Sequence, residues 1–209
     1  SARFSNGSSQ AFNIDTNGQS VTFATGLAGT GSTLTKIGSG TLTLTANQTY
    51  TGLTTISDGT LVLSGSGKTY ATSGVLNAGS LDLSGTLGLS LTSLSGAGNV
   101  VLPASGVLTL SNNSGEISGV VSGAAGMALS SGNLTLSGSN TYAGATTVSG
   151  GVLTIKHANA LGATNSGTTI SSGAVLIVDG GINLAAEAMS ISGTGISSLG
   201  ALRTINGAT

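Results

Sequence analysis

GTLTLTANQTYTGLTTISDGTLVL, at residues 40–63, contains the pattern that decides the fold. Leucines alternate with threonine or valine, first at Leu42 and Leu44 and then at Leu61 and Leu63. Apolar side chains at every second position are typical of a β-strand with one buried face. The stretch therefore predicts two short strands, separated by a turn-forming SDG at residues 57–59.

The same line returns at residues 132–155 as GNLTLSGSNTYAGATTVSGGVLTI. The two copies align without a gap at an offset of 92 residues, from Gly40 to Gly132, and 12 of the 24 aligned positions are identical. A catalytic motif is normally present once per site. A line that is used twice is typical of a fold that grows by repetition.

The alternating runs recur at a regular distance. Leu42 and Leu61 are 19 residues apart, and Leu81 follows Leu61 after 20. In the second half of the chain, Leu134 and Leu153 are again 19 residues apart, and Val175 follows after 22. A βαβ unit needs about 30 residues, so this distance is too short for one. It suits one coil of a parallel β-helix, in which Leu42 lies under Leu61 and Leu61 under Leu81.

The sequence thus predicts an all-β fold, a right-handed parallel β-helix of about ten coils stacked about 4.8 Å apart. Each coil would contain two or three short strands and glycine-containing corners. The alternative is an antiparallel sandwich, which the scarcity of two-residue hairpin turns disfavours. We expect residues 1–209 to form a single β-solenoid segment of a longer chain, with repeat copies near residues 36–65 and 128–155.

The composition agrees with stacked coils and excludes several functions. Only 5% of the 209 residues are charged, and equal charges stacked less than about 5 Å apart would repel. Five Lys and Arg residues and 3% aromatics predict no nucleic-acid binding. The chain has no cysteine, which excludes disulfides and thiolate metal sites. The start, SARFSNGSSQ, lacks the apolar core of a signal peptide, so we expect a mature or excised segment.

Both copies resemble the passenger-associated transport repeat of Gram-negative autotransporters. The first copy matches that pattern at Lys36, Gly38, Gly40, Leu42, Leu44, Tyr50, Gly52, Thr54, Ile56, Gly59, Leu61 and Leu63. It has Ala46 where glycine is usual, and Asn47 lies one place from the usual asparagine. The second copy retains Gly138, Asn140, Tyr142, Gly144, Thr146 and Val148. Ala128 stands where that copy would have the lysine.

This resemblance implies a passenger domain that a C-terminal β-barrel of the parent chain exports across the outer membrane. It implies a location at the cell surface or in the medium, and a part for the repeat in passenger secretion and folding. Many such passengers are adhesins. The partners implied are a host-cell surface or matrix component, or other copies of the chain.

The residues predict no catalytic, cofactor-binding or metal-binding site. Asp58 falls in a corner and Asp82 on an outer face, and their spacing of 24 residues does not stack one over the other. The only histidine, His157, would have to serve any Ser–His–Asp triad, and we expect a polar residue at a coil edge instead. A polysaccharide-acting β-helix enzyme, or its scaffold, is the alternative function.

The threonine rows and the two asparagine–tyrosine pairs are further candidates for ligand sites. Ice binding would need threonine rows in successive coils. The row of Thr41, Thr43 and Thr45 decays at once, since its expected neighbours are Thr60, Val62 and Ser64 and then Ser80, Asp82 and Ser84. Asn47 with Tyr50, and Asn140 with Tyr142, could contact sugars if they were exposed together. The pattern favours a structural role, with asparagine closing a corner and tyrosine covering the coil edge. These patterns identify no ligand, and the predicted function is that of a non-catalytic stalk and contact face of an adhesin.

Overall fold

A computed structural model describes residues 7–65, 74–184 and 186–207. These residues form 24 strands, numbered β1 to β24 in chain order, and one 3₁₀ turn at Ile196–Ser198. Every strand pair that the described residues form is parallel, with partners about one coil apart in sequence. The predicted parallel β-solenoid is therefore confirmed, and the antiparallel sandwich is wrong.

The first strand of each coil belongs to the first stack. Its members are β1 (Ala11–Asp15), β4 (Thr33–Ile37), β7 (Thr54–Ile56), β9 (Val75–Asn77), β12 (Leu94–Ser95), β15 (Asn113–Ile117), β18 (Gly132–Leu136), β20 (Gly151–Ile155), β22 (Ala174–Asp179) and β24 (Leu202–Ile205). Pairing runs from β1 to β12 and from β15 to β24, and a bridge between Gly96 and Ile117 joins the two parts.

Two further stacks complete the coil. The second stack contains β2 (Ser20–Phe23), β5 (Thr41–Leu44), β8 (Thr60–Ser64), β10 (Ser80–Gly85), β13 (Asn99–Val101) and β16 (Val121–Ser122). The third strand position is held by β3 (Ala28–Gly29), β6 (Thr49–Tyr50), β11 (Leu89–Leu91), β14 (Val107–Leu110), β17 (Gly126–Leu129), β19 (Thr146–Val148), β21 (Thr168–Ile170) and β23 (Met189–Ile191). In the last three coils, irregular segments at 137–145, at 156–167 and at 180–184 with 186–188 stand where the second strand would be.

The described residues contain nine coils and the first strand of a tenth, close to the predicted ten. Coil length varies with the corners. Paired residues are 19 apart at Val75 and Leu94, but 26 apart at Leu176 and Leu202, where the 3₁₀ turn enlarges a corner. The right-handedness of the solenoid stays a prediction.

The core is a set of apolar columns inside the coil. Leu42 pairs with Leu61, and Leu61 pairs with Leu81, as the 19- and 20-residue spacing predicts. All three are buried, while the alternating Thr41 and Thr43 face outward. Because each coil buries its leucines against the coils before and after it, stability accumulates from coil to coil.

Two predicted registers are wrong by one residue. Leu153 pairs with Leu176, whereas Val175 pairs with Val152, because the corner before β22 differs in length from the earlier corners. In β10 a bulge shifts the strand register. Ser64 therefore pairs with Gly85 and not with Ser84, which the threonine-row pattern predicts as its partner. A single extra residue reverses the side-chain alternation of a strand, and spacing alone does not reveal it.

Candidate functional site

The two copies of the repeated line begin at different strand positions of the coil, so corresponding strands lie on different sides of the solenoid. The first copy starts on β4 in the first stack and ends on β8 in the second. The second copy starts on β17 in the third stack and ends on β20 in the first. The offset of 92 residues is therefore not a whole number of coils, and the second copy is displaced by one strand position around the coil.

Each copy contains a buried tyrosine paired with a buried threonine. The Tyr50 hydroxyl lies 2.6 Å from Thr54 Oγ1, and the Tyr142 hydroxyl lies 2.6 Å from Thr146 Oγ1. Burial raises the pKa of both tyrosines to about 12, and the threonine hydrogen bond opposes part of that rise. Since both rings lie in the core, neither can stack against a sugar at the surface.

Buried side-chain amides connect neighbouring coils. Asn140 Oδ1 accepts the N–H of Val121, one coil before it, at 2.8 Å, and Nδ2 donates to the carbonyl of Ala160, one coil after it, at 2.7 Å. Asn113 makes the same pair of contacts with the N–H of Leu94 and the carbonyl of Asn133. Such side chains satisfy backbone groups at irregular corners that strand pairing leaves without partners.

In the first copy, Gln48 and not Asn47 holds this position. Gln48 is buried, and its Oε1 accepts the N–H of Leu27 at 2.8 Å, whereas Asn47 is exposed. The sequence prediction for Asn47 is wrong, because Gln48 lies at the aligned offset of 92 residues from Asn140. Glutamine carries the same amide group as asparagine, so it can make the same backbone hydrogen bond.

A third buried asparagine, Asn77, lies at the corner after β9. Its Nδ2 donates to the carbonyl of Asn99 at 2.9 Å. Its Oδ1 is the one buried side-chain nitrogen or oxygen without a hydrogen-bond partner in the described part of the chain.

Lys36 is a buried cation at a corner of the first copy. It points inward from β4, and its Nζ donates to the carbonyls of Ile37 at 3.0 Å, Gly38 at 2.5 Å and Asp58 at 3.2 Å. Burial lowers the pKa of Lys36, and the negative charges of Asp58 and Asp15 act in the opposite direction.

The residue equivalent to Lys36 in the second copy is Leu129, which corrects the sequence assignment to Ala128. Lys36 pairs with Ile56 in the first copy, and Leu129 pairs with Val148 in the second, whereas Ala128 faces outward. The corner after Leu129 is one residue shorter than the corner after Lys36, so a gapless alignment misplaces the strand before it. With the shorter corner, a leucine takes the place of the lysine.

Six glycines stack at the corner between the first and second strand positions. They are Gly40, Gly59, Gly79, Gly98, Gly119 and Gly138. A Cβ on any of the last five would collide with the carbonyl oxygen of the glycine one coil before it, and a Cβ on Gly40 would collide with that of Gln19. Side chains are therefore excluded where the coils approach most closely.

Comparison with protein families identifies the repeated line. Residues 34–63 and 129–155 match the passenger-associated transport repeat. We refer to these two matched segments as the transport repeats. Two such repeats on a parallel β-solenoid fit an autotransporter passenger domain. No curated protein and no solved structure matches the chain.

Each of the six acidic side chains accepts a hydrogen bond from a nearby group. Four are aspartates: Asp15 bonds the N–H of Asn17, Asp58 that of Gly59, Asp82 that of Ser84, and Asp179 the side chain of Asn206. Glu116 bonds the hydroxyl of Ser137, and Glu187 that of Thr168. Asp82 pairs with Val62 and not with Asp58, as the 24-residue spacing predicts.

His157 lies at the corner that follows the second transport repeat, in agreement with the predicted position at a coil edge. It is half-buried, and its Nδ1 accepts the N–H of Asn159 at 3.0 Å. This local bond fixes the imidazole within its own turn.

Shallow grooves with volumes of about 260 and 280 Å³ open on the described part of the surface. The smaller groove contains Leu76 and Ala97, the larger contains Thr169 and Met189, and no carboxylate lines either one. Within the ranges that the structure describes, no three His, Asp or Glu side chains are grouped to hold a metal ion. Among the same residues, no helix is long and apolar enough to cross a bilayer.

The outward side chains form three walls, one for each stack. The first wall carries Asn13, Thr35, Thr55, Leu76, Ser95, Glu116, Thr135, Thr154, Ile177 and Arg203. The second wall carries Thr22, Thr43, Val62, Asp82, Val101 and Ser122. The third wall carries Ser90, Thr109, Ala128, Thr147, Thr169 and Ser190. Apolar residues and acids interrupt the first two walls, so extended threonine arrays are limited to short segments.

Proposed function

We propose that this solenoid is a non-catalytic part of an autotransporter passenger and acts as the stalk and contact face of an adhesin. A C-terminal barrel of the parent chain would export it across the outer membrane of a Gram-negative bacterium to the cell surface. The two transport repeats support this assignment. Their buried tyrosine, amide and glycine positions would help the passenger to fold as it emerges.

The observation that carries the adhesive role is the third wall. Over six successive coils its outward column consists of serine, threonine and one alanine, without a charged side chain. A neighbouring copy can approach such a wall without charge repulsion. Each hydroxyl hydrogen bond contributes little, about 1 kcal/mol, but many are made side by side.

The partner that this wall fits best is a second copy on a neighbouring cell, which would give cell–cell aggregation. Attachment to a host-cell surface or matrix component uses the same chemistry and is the second outcome of the test. An extended wall of short side chains offers no deep pocket for a small ligand. We therefore expect recognition to come from many weak contacts made side by side along the third wall.

The test is aggregation of beads coated with the chain. The double variant Thr147→Glu and Thr169→Glu puts two negative charges on paired residues of the third wall. We expect at least a tenfold loss of bead aggregation, because the facing walls then repel. Binding to cultured epithelial cells, measured on the same beads, distinguishes self-contact from attachment to a host.

The matched control is Thr35→Glu with Thr55→Glu, which places the same charges on paired residues of the first wall. This control should aggregate nearly as well as the unmodified chain. An equal effect of both double variants would contradict the role of the third wall. A screen that detects glycan cleavage by the chain would contradict the non-catalytic assignment in favour of the polysaccharide-acting enzyme.

A further inference from the structure

An aspartate–glycine step lies at the corner between β7 and β8, inside the first transport repeat. The N–H of Gly59 donates to Oδ1 of Asp58, the residue directly before it, at 2.7 Å. The N–H groups on either side of this step, those of Ser57 and Thr60, donate instead to carbonyls of the preceding coil. The carboxyl group of Asp58 is thus folded back onto the backbone nitrogen of the next residue.

The ammonium group of Lys36 lies against the same peptide unit. Its Nζ donates to the carbonyl of Asp58 at 3.2 Å, and it approaches the α-carbon of Gly59 so closely that a Cβ there would collide with it. A cation at the carbonyl oxygen withdraws electron density from the amide that joins the two residues. The amide N–H becomes more acidic, and the carbonyl carbon becomes more open to attack by water.

The geometry of the corner also leaves this step sterically open. Gly59 has a φ of +64°, and a Cβ there would collide with the carbonyls of Gly40 and Gly38, so only glycine fits. No side chain therefore shields the nitrogen from the carboxyl group of Asp58. Asp58 is exposed, so water reaches the step. Groups held against each other in this way react much faster than groups that must first meet.

We propose that Asp58–Gly59 is a site of spontaneous modification, at which the aspartate closes to a succinimide and reopens as isoaspartate. The nitrogen of Gly59 loses its proton and bonds to Cγ of Asp58. The Cγ–O bond of the protonated carboxyl group breaks, and one water molecule leaves. Water then adds to the ring. Addition at Cγ restores aspartate, whereas addition at the main-chain carbonyl, which Lys36 polarises, gives isoaspartate.

Isoaspartate would alter the corner in which it forms. Its main chain runs through Cβ and Cγ, so the corner gains one atom between Asp58 and Gly59. The Gly59 carbonyl, which accepts the N–H of Ser80 in the next coil at 2.8 Å, is then displaced. We expect the first transport repeat to loosen as the chain ages. The second repeat is spared, because Gly150 and Gly151 stand at the equivalent positions.

A second aspartate–glycine step, Asp179–Gly180, provides a comparison within the same chain. The N–H of Gly180 donates to the carbonyl of Ile205 at 3.1 Å. The Asp179 carboxylate accepts a hydrogen bond from the side chain of Asn206 at 2.8 Å. Both groups are held by the next coil and not by each other, so this step should react slowly while the chain is folded.

Peptide mapping that separates aspartate from isoaspartate tests the proposal on chain stored at neutral pH. In the folded chain, isoaspartate should accumulate at residue 58 at least about tenfold faster than at residue 179, because only Asp58 is held against the reacting nitrogen. A peptide lighter by one water molecule should mark the succinimide at residue 58. In urea that unfolds the chain, the two steps should react at similar rates. Equal rates in the folded chain would overturn the proposal.

The variant Lys36→Leu tests the part played by the cation, and it copies the leucine of the second repeat. Isoaspartate formation at Asp58 should slow, while the rate at Asp179 stays the same. The control Lys156→Leu removes an exposed lysine and should change neither rate. An unchanged rate at Asp58 in folded Lys36→Leu would refute the activation by Lys36.

Circular dichroism shows whether Lys36→Leu is folded. If it is not, the comparison of the unmodified chain with and without urea decides the proposal by itself. The modification lies in the first transport repeat and does not depend on the adhesive function. Bead aggregation is measured on freshly prepared chain, so the two proposals can fail separately.

Discussion

At the residue scale, the polar side chains inside the coil are as informative as the leucines. Asn113 and Asn140 each bond the coil before and the coil after with one amide group. A solenoid corner leaves backbone N–H and C=O groups that no strand pairs. A short amide in the core satisfies them without adding charge.

Replacing Asn140 by alanine should lower the free energy of unfolding by roughly 2–4 kcal/mol. The change removes both amide bonds and leaves the Val121 N–H and the Ala160 carbonyl buried without partners. Urea denaturation measures the loss. The control Asn133→Ala changes an exposed side chain and should shift stability by less than about 0.5 kcal/mol. Equal losses in both variants would refute the linking role.

The buried tyrosines should make the fold sensitive to alkali. The pKa of Tyr50 and Tyr142 is about 12 in the folded chain, against about 10 in the unfolded chain. Their contribution is therefore complete below pH 10 and is lost as pH rises towards 12, by on the order of 2–3 kcal/mol for each tyrosine.

Denaturation midpoints measured from pH 9 to 12 test this loss. The double variant Tyr50→Phe and Tyr142→Phe should be less stable at pH 8 but should lose less stability between pH 10 and 12. If the two chains lose stability in parallel over that range, the tyrosines are not its source.

At the element scale, the corners control how closely the coils approach. Gly119→Ala should destabilise the fold by about 2–3 kcal/mol, because the Cβ would collide with the carbonyls of Gly98 and Ala97. Gly173→Ala is the comparison variant, since no atom lies within 4 Å of its Cβ position and only the positive φ of 85° opposes the change. That strain should cost about 1–2 kcal/mol. Thermal unfolding that ranks Gly173→Ala as the more damaging change would contradict the close-approach argument.

The strands were predictable from the sequence because a repeated hydrophobic spacing specifies them. Leu42, Leu61 and Leu81 stack as their spacing requires. Prediction failed at Val175, where Leu176 continues the column, because the change in corner length reverses the alternation. Periodicity reports the strands well, but not the number of residues that each corner adds.

The internal polar positions of the repeat were only partly predictable. Tyr142 and Asn140 were expected to be structural, and the structure places both in the core. Gln48 was missed because its neighbour Asn47 matched the expected residue type. Leu129 was missed because a one-residue difference at a corner shifts the alignment. Nothing in the spacing reveals that Lys36 bonds three carbonyls, since the third belongs to Asp58 in the next coil.

At the scale of the whole molecule, stability depends on neighbouring coils more than on any global centre. Interior coils are supported from both sides, and the terminal coils from one. Amide hydrogen exchange should therefore be slowest in the middle strands, such as β8 and β18, and faster in β1 and β24. Mass spectrometry after exchange in the dilute, unassociated chain measures this profile. Uniform protection along the chain would contradict it.

The displacement of the second transport repeat by one strand position affects how the molecule meets its neighbours. The corresponding outward side chains Thr55 and Thr147 lie on the first wall and on the third wall, respectively. Neighbours that meet through the third wall therefore cover Thr147 and leave Thr55 accessible. Repeats spaced by a whole number of coils would have placed both side chains in the same contact.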